Sequence, residues 1–152
     1  MYEVETRQLQ QHPTLVRHAK LEVDELGTWL GETYGLVMAQ VDAAAVPTIG
    51  MPFARYRPLS EGVFEVEAGI GIAEDIDPGP ELDVGTLPGG PAVVVSYVGT
   101  YDGIAAAYET AFEWLREHGH EPAGAPWEAY HTDPDVEPDQ SRHRTEVVQP
   151  YR

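Results

Sequence analysis

Gly50-Met-Pro-Phe-Ala-Arg-Tyr56 returns as Gly124-Ala-Pro-Trp-Glu-Ala-Tyr130, an offset of 74 residues in a chain of 152. Gly, Pro and Tyr coincide, and an aromatic fills the same slot as Phe53 and as Trp127. One position breaks the symmetry chemically: Ala54 in the first copy is Glu128 in the second. A chain of two similar halves tends to form a cleft where they meet. The added carboxylate, Glu128, is therefore the first candidate for function.

Outward from these segments the chain reads as one α+β domain with a repeated order of elements. Glu3 to Leu9 reads as an edge strand, broken at His12-Pro13. From Val16 to Val41, Ala19, Val23, Leu26, Leu30, Tyr34 and Val37 recur at helical spacing, which predicts one long amphipathic helix. Gly27, Gly31 and Gly35 weaken that helix and are expected to admit a neighbouring backbone. Ile49 to Tyr56 is a short strand, and Arg57 to Gly62 a turn. Val63 to Ala73 is a strand with Phe64, Val66, Ala68, Ile70 and Ile72 on one face, and solvated Glu65 and Glu67 on the other. Asp75 to Pro80 is a turn-rich linker, and Glu81 to Leu87 a short strand.

The second half follows the same order. Ala92 to Val98 is a valine-rich strand, and Thr100 is placed to cap a helix carrying Ile104, Tyr108, Ala111, Phe112 and Leu115. Gly119 ends that helix, between His118 and His120. Gly124 to His131 is a strand, Asp133 to Gln140 an acidic loop, and Arg144 to Gln149 the last strand. Thr145-Glu-Val147 resembles Phe64-Glu-Val66. Glu146, like Glu65 and Glu67, is expected to face solvent.

The formal net charge of −17 argues against phosphate backbones and anionic membranes as partners. It attracts cations, organic cations included, while solubility is the plainer reading of the same charge. The chain has no cysteine, so disulfides, thiolate nucleophiles and cysteine metal sites are excluded. The histidines are scattered, with no HExxH or calcium-loop pattern, and no metal or cofactor is expected. Gly69-Ile-Gly71 lies inside a strand rather than before a helix, and Ser96 sits in no nucleophile elbow. The polar N-terminus shows no signal peptide, and no apolar run is of spanning length, so the expected location is cytoplasmic.

Strand alternation puts Glu128 and Tyr130 on one face, with Tyr56 on the equivalent face of the first copy. A carboxylate beside phenol rings suits an organic cation through ion pairing and cation–π attraction. It equally suits a general acid or base. Trp127 and Phe53 read first as core and second as ligand walls. Tyr97 and Tyr101 flank Gly99 at the strand-to-helix junction, where their hydroxyls suit a cavity rim.

The runs Leu87-Pro-Gly-Gly90, Tyr97-Val-Gly-Thr-Tyr101, Trp114-Leu115 with Gly119, Pro126-Trp-Glu-Ala-Tyr130 and Arg144-Thr-Glu146 resemble the GyrI-like small-molecule-binding family. That family includes the effector-binding domains of AraC-type and BmrR-type transcription regulators and is related to the SOUL fold. The resemblance covers nearly the whole chain and implies one effector-binding domain over residues 1–152, with repeat halves at about 1–74 and 82–152. It implies tandem βαββ repeats about a pseudo-twofold axis, an antiparallel sheet, two long helices and a ligand cleft between the halves. It also implies aromatic walls and a buried carboxylate, which falls on Glu128. A first strand at the N-terminus implies a stand-alone member.

Three functions follow as expectations. The first is a binding module for a small amphipathic cation or natural product, using Glu128, Tyr56, Tyr130, Trp127, Phe53, Tyr97 and Tyr101. The second is a metal-independent hydrolase of cyclopropane-containing electrophiles, with Glu128 assisted by Tyr97 or Tyr130. The third is an acidic, gyrase-inhibitor-like protein whose partner would be basic and its complex salt-sensitive.

Overall fold

A computed structural model of the chain describes residues 2–133 and 136–152. Among the described residues, eight strands and two long helices follow in the order β1 (Tyr2–Leu9), β2 (His12–Glu22), α1 (Leu26–Ala44), β3 (Thr48–Ser60), β4 (Val63–Ile72), β5 (Asp83–Leu87), β6 (Gly90–Val98), α2 (Ile104–His118), β7 (Trp127–Tyr130) and β8 (Arg144–Pro150). All pairings within each of two compact units are antiparallel. The first unit spans residues 11–88 and the second joins residues 1–10 to 89–152.

In the first unit the strand order is β3-β4-β2-β5, and in the second β1-β6-β8-β7. Each unit is therefore a βαββ repeat plus one further strand. The additions are equivalent, because β5 pairs with β2 as β1 pairs with β6.

The predicted helix over Val16–Val41 is corrected at its start. Residues 12–22 are strand β2, and α1 begins only at Leu26, after a 3₁₀ turn at Val23–Glu25. Ala19, Val23 and Leu26 fit a helical period by coincidence. Thr14, Leu15 and Val16 are fully buried, and β2 is paired with β4 on one side and β5 on the other. Burial on both faces at Thr14 to Val16 breaks the alternation there, which resumes from Arg17 to Glu22. The three glycines of α1 lie on its exposed side. A Cβ at Gly27, Gly31 or Gly35 would meet nothing within 4 Å, so they do not serve close packing inside the described chain. The turn expected at Arg57–Gly62 narrows to Glu61-Gly62, with Gly62 at φ 74°, and β3 runs on through Pro58 to Ser60.

Each helix lies on the strands of its own unit by a stripe of buried residues. Ala107, Ala111 and Leu115 of α2 meet Val93, Val95 and Val147. Val37 and Val41 of α1 meet Leu15, Ile70 and Ile72. Full burial of one such aliphatic side chain contributes about 1.5–3 kcal/mol. Gly119 adopts the left-handed conformation (φ 73°) that ends α2, and Ala45 does the same after α1 at φ 52°. The two positions are again 74 residues apart. Of the acidic loop at residues 133–140, positions 134 and 135 lie outside the described residues.

Strand register also corrects one equivalence. Ala54 pairs with Ala68, and Glu128 with Val147. The repeat-equivalent of Glu146 is therefore Glu67, not Glu65. Neither of these glutamates is simply solvated. Glu67 accepts from Arg55 Nε at 2.6 Å and bonds His18 Nε2 at 2.9 Å. Glu65 is more open and pairs with Arg57 at 2.8 Å.

Candidate functional site

The site grows from the shortest strand. β7 has four residues, and its cross-strand neighbours place Glu128 opposite Val147 and Tyr130 opposite Thr145. Val147 belongs to the core beneath α2, so Glu128 and Tyr130 face the helix. Glu128 is only 2% exposed, and a carboxylate so placed needs hydrogen-bond donors.

Three phenols supply them. Tyr130, two residues along the same face, donates to Oε1 at 2.9 Å. Tyr108, on α2, donates to Oε2 at 2.6 Å. Tyr101, on the 3₁₀ turn Tyr101–Gly103 that precedes α2, lies 2.7 Å from Oε1 and 3.0 Å from Oε2. A carboxylate offers about four lone-pair positions, and the three phenol hydrogens fill three of them. Burial pushes the Glu128 carboxyl above its ordinary pKa, and the three phenol hydrogen bonds pull against that rise without cancelling it. The proton affinity of the group is set by the balance of burial and phenol hydrogen bonds, with burial the larger.

The structure gathers three of the residues expected from sequence, Glu128, Tyr130 and Tyr101, and adds Tyr108. The sequence placed Tyr108 on a helical stripe but left it out of the site. Its signal was present, since Tyr34 and Tyr108 stand 74 apart, as do Tyr56 and Tyr130. In the first unit Ala54 replaces the carboxylate and is fully buried. There the Tyr34 hydroxyl donates to the Phe53 carbonyl at 2.9 Å.

Of the other expected residues, Tyr97 and Trp127 belong to the second unit without bonding Glu128, and Tyr56 and Phe53 belong to the first. The Tyr97 hydroxyl donates to the Thr100 carbonyl at 2.6 Å, and its ring belongs to the core under α2. Its single hydroxyl hydrogen is thus spent away from Glu128. Trp127 is buried on the opposite face of β7, opposite Val148. Phe53 is buried in the first unit, and Tyr56 is half-buried on β3 opposite Val66.

A second buried carboxylate lies on the other face of the same sheet. Glu146 is 2% exposed, which corrects its expected solvation. Arg7 of β1 grips it with two hydrogen bonds, at 3.2 and 2.5 Å, and His131 Nε2 lies 2.6 Å from Oε1. Burial alone would raise its pKa, but the hydrogen bonds from Arg7 and His131 outweigh it and hold the group below the ordinary carboxyl range. Its partners are complete, and it reads as structural.

Among the described residues, one group has metal-like spacing: the exposed carboxylates of Glu22, Asp24 and Glu25. The Glu25 carboxylate there accepts the Glu22 backbone N–H at 3.0 Å, a capping box for the helix start. Among the described residues no helix is long and apolar enough to cross a membrane.

A family model for the GyrI-like small molecule binding domain matches residues 23–152. Among solved structures, the EcmrR C-terminal domain superposes with a TM-score of 0.79 at 18% identity, covering 100% of this chain and 98% of that one. In the EcmrR–DNA complex the match covers 99% of this chain but 57% of the EcmrR chain, at 17% identity and a TM-score of 0.79. This chain thus spans little more than half of the EcmrR chain in that complex. SAV2435 bound to tetraphenylphosphonium matches with a TM-score of 0.67 at 12% identity, over 99% of this chain and 94% of that one. At such identities these likenesses show the fold. No curated protein sequence matches significantly.

Proposed function

The chain belongs to the GyrI-like small-molecule-binding family, and on that premise we propose that it captures a lipophilic organic cation at Glu128. The observation that carries this reading is the buried carboxylate ringed by Tyr101, Tyr108 and Tyr130. In its ionised form Glu128 attracts a cation without requiring a donor from the ligand, because three phenol hydrogens already bond its oxygens. A cation with little hydrogen-bonding capacity loses little on leaving water, and ring faces hold it by cation–π attraction of about 0.5–2 kcal/mol each. The binding of tetraphenylphosphonium by a protein of the same fold supports the choice of probe.

A thermal-shift series tests the proposal. At a concentration 100 times its Kd a ligand adds about 2.7 kcal/mol of stability. For a chain of this size that corresponds to roughly 5–10 °C in Tm. Tetraphenylphosphonium is expected to raise Tm on this scale, and neutral triphenylphosphine oxide much less. Equal shifts from both would remove charge from the recognition.

A second reading is supported by the raised carboxyl pKa of Glu128, which suits a general acid or base. Under it the protein is a hydrolase of strained electrophiles. Turnover of a cyclopropane-bearing substrate that persists in EDTA and is lost in Glu128→Gln would favour it. A Glu128→Gln variant as active as wild type would dismiss it.

A further inference from the structure

Tyr101 differs from the other two phenols around Glu128. It is 50% exposed, whereas the carboxylate it touches is buried. It stands on no long helix or strand but on a five-residue turn, Gly99–Gly103. Something other than a regular element must therefore fix its position.

Two aromatic side chains are built against that turn. Tyr97 donates its hydroxyl hydrogen to the Thr100 carbonyl at 2.6 Å, at the residue directly before Tyr101. Both flanking glycines close on the same hydroxyl. A Cβ at Gly99 would lie 2.7 Å from it, and a Cβ at Gly103 would collide with it outright. Gly99 also has φ 149°, where a side chain is strained. Tyr2 of β1 pairs in register with Tyr97 and stacks on its ring, with centroids 5.2 Å apart and planes 20° apart. The Tyr2 hydroxyl donates to the Gly103 carbonyl at 3.1 Å, at the far end of the turn. The stacked pair thus holds the turn on both sides of Tyr101.

We propose that Tyr97 and Tyr2 are positioning residues that set Tyr101 over the Glu128 carboxylate, so that the N-terminal strand shapes the ligand site through the turn that carries Tyr101. This rests on the cation-binding reading of Glu128. It moves Tyr97 from a ligand contact to a support of one. Tyr2 gains a role that its exposed place on an edge strand gave no reason to expect.

Tyr97→Phe is a suitable probe, since it keeps the ring and its stack and removes only the oxygen that holds Thr100. Calorimetry with tetraphenylphosphonium should show about fivefold weaker binding, the scale of one neutral hydrogen bond. In a Tyr101→Ala background the same change should be silent, because the residue it positions is gone. An equal loss in both backgrounds would overturn the proposal. A second readout needs no ligand. In protein carrying ¹³Cζ-tyrosine, Tyr97→Phe and Tyr2→Phe should each move the Tyr101 resonance and leave that of Tyr108 in place. An unmoved Tyr101, or equal movement of Tyr108 and Tyr130, would contradict a specific positioning role. Should tetraphenylphosphonium bind wild type and Glu128→Gln alike, the cation reading falls, and the resonance test still decides the positioning.

Discussion

A buried glutamate ringed by three phenols is carried at a cost to folding wherever the pH exceeds its unfolded pKa. Burial raises the pKa of Glu128 above its unfolded value. The sign follows from linkage: a raised carboxyl pKa favours the folded state when the group is protonated, and that advantage fades as pH rises through the folded pKa. Glu128→Gln is therefore expected to raise Tm at pH 7.5, with the gain shrinking as pH falls and the wild-type carboxyl takes up its proton. Thermal unfolding of both proteins from pH 4 to 8 checks this, and a gain that grows toward acid would contradict it. Tyr108→Phe removes a hydrogen bond that lowers the Glu128 pKa, so a carbon-detected titration of the Glu128 carboxyl should show it rising further. Glu128 and Tyr130 were legible in the sequence because a repeat exposes its own exceptions. Tyr108 was not selected, because a tyrosine on a helical stripe looks like core until its hydroxyl is placed. Tyr97 misled for the converse reason, since a tyrosine beside the site can spend its hydroxyl on the backbone.

At the scale of elements, β1 is the strand whose attachment is most open to test. Its residues are largely exposed, and it is held by pairing to β6 and by the grip of Arg7 on Glu146 two strands away. Glu146→Gln should lower stability by about 1.5–3 kcal/mol, the scale of hydrogen bonds to a charged group. The lower part of that range is expected, because Arg7 is 39% exposed and solvent screens it. The pKa of Glu146 is depressed, so its contribution is present above the unfolded carboxyl pKa and is lost as pH falls through the folded one. Denaturant unfolding at pH 7 and pH 3 checks this, since the difference between variant and wild type should narrow at the lower pH. The two buried glutamates thus respond to pH in opposite directions, on opposite faces of one sheet. The order of strand, helix, strand, strand was legible in the second half, whereas in the first half the expected opening strand, Glu3–Leu9, pairs instead with β6. β2 was not, because three successive buried residues, Thr14 to Val16, interrupt its alternation, and Ala19, Val23 and Leu26 also fit a helical period. The grip on Glu146 was hidden too, since Arg7 and His131 lie 124 residues apart in sequence and meet only in the sheet.

The whole molecule carries a formal charge of −17, which acts beyond any single contact. Such a field raises the local concentration of cations and speeds their encounter, and salt screens it over about 8–10 Å at 0.1–0.15 M. The association rate of tetraphenylphosphonium should therefore fall as salt rises from 20 to 300 mM, while the dissociation rate changes little. Stopped-flow kinetics separates the two, and a rate of association indifferent to salt would deny the field any part in capture. The central claim is narrower and rests on one side chain. Calorimetric titration of wild type and Glu128→Gln with tetraphenylphosphonium, at fixed pH and 150 mM salt, tests it most directly. Loss of one buried charge should weaken binding by about 1.5–3 kcal/mol, or roughly 10- to 150-fold. Equal affinity in the two proteins would contradict it.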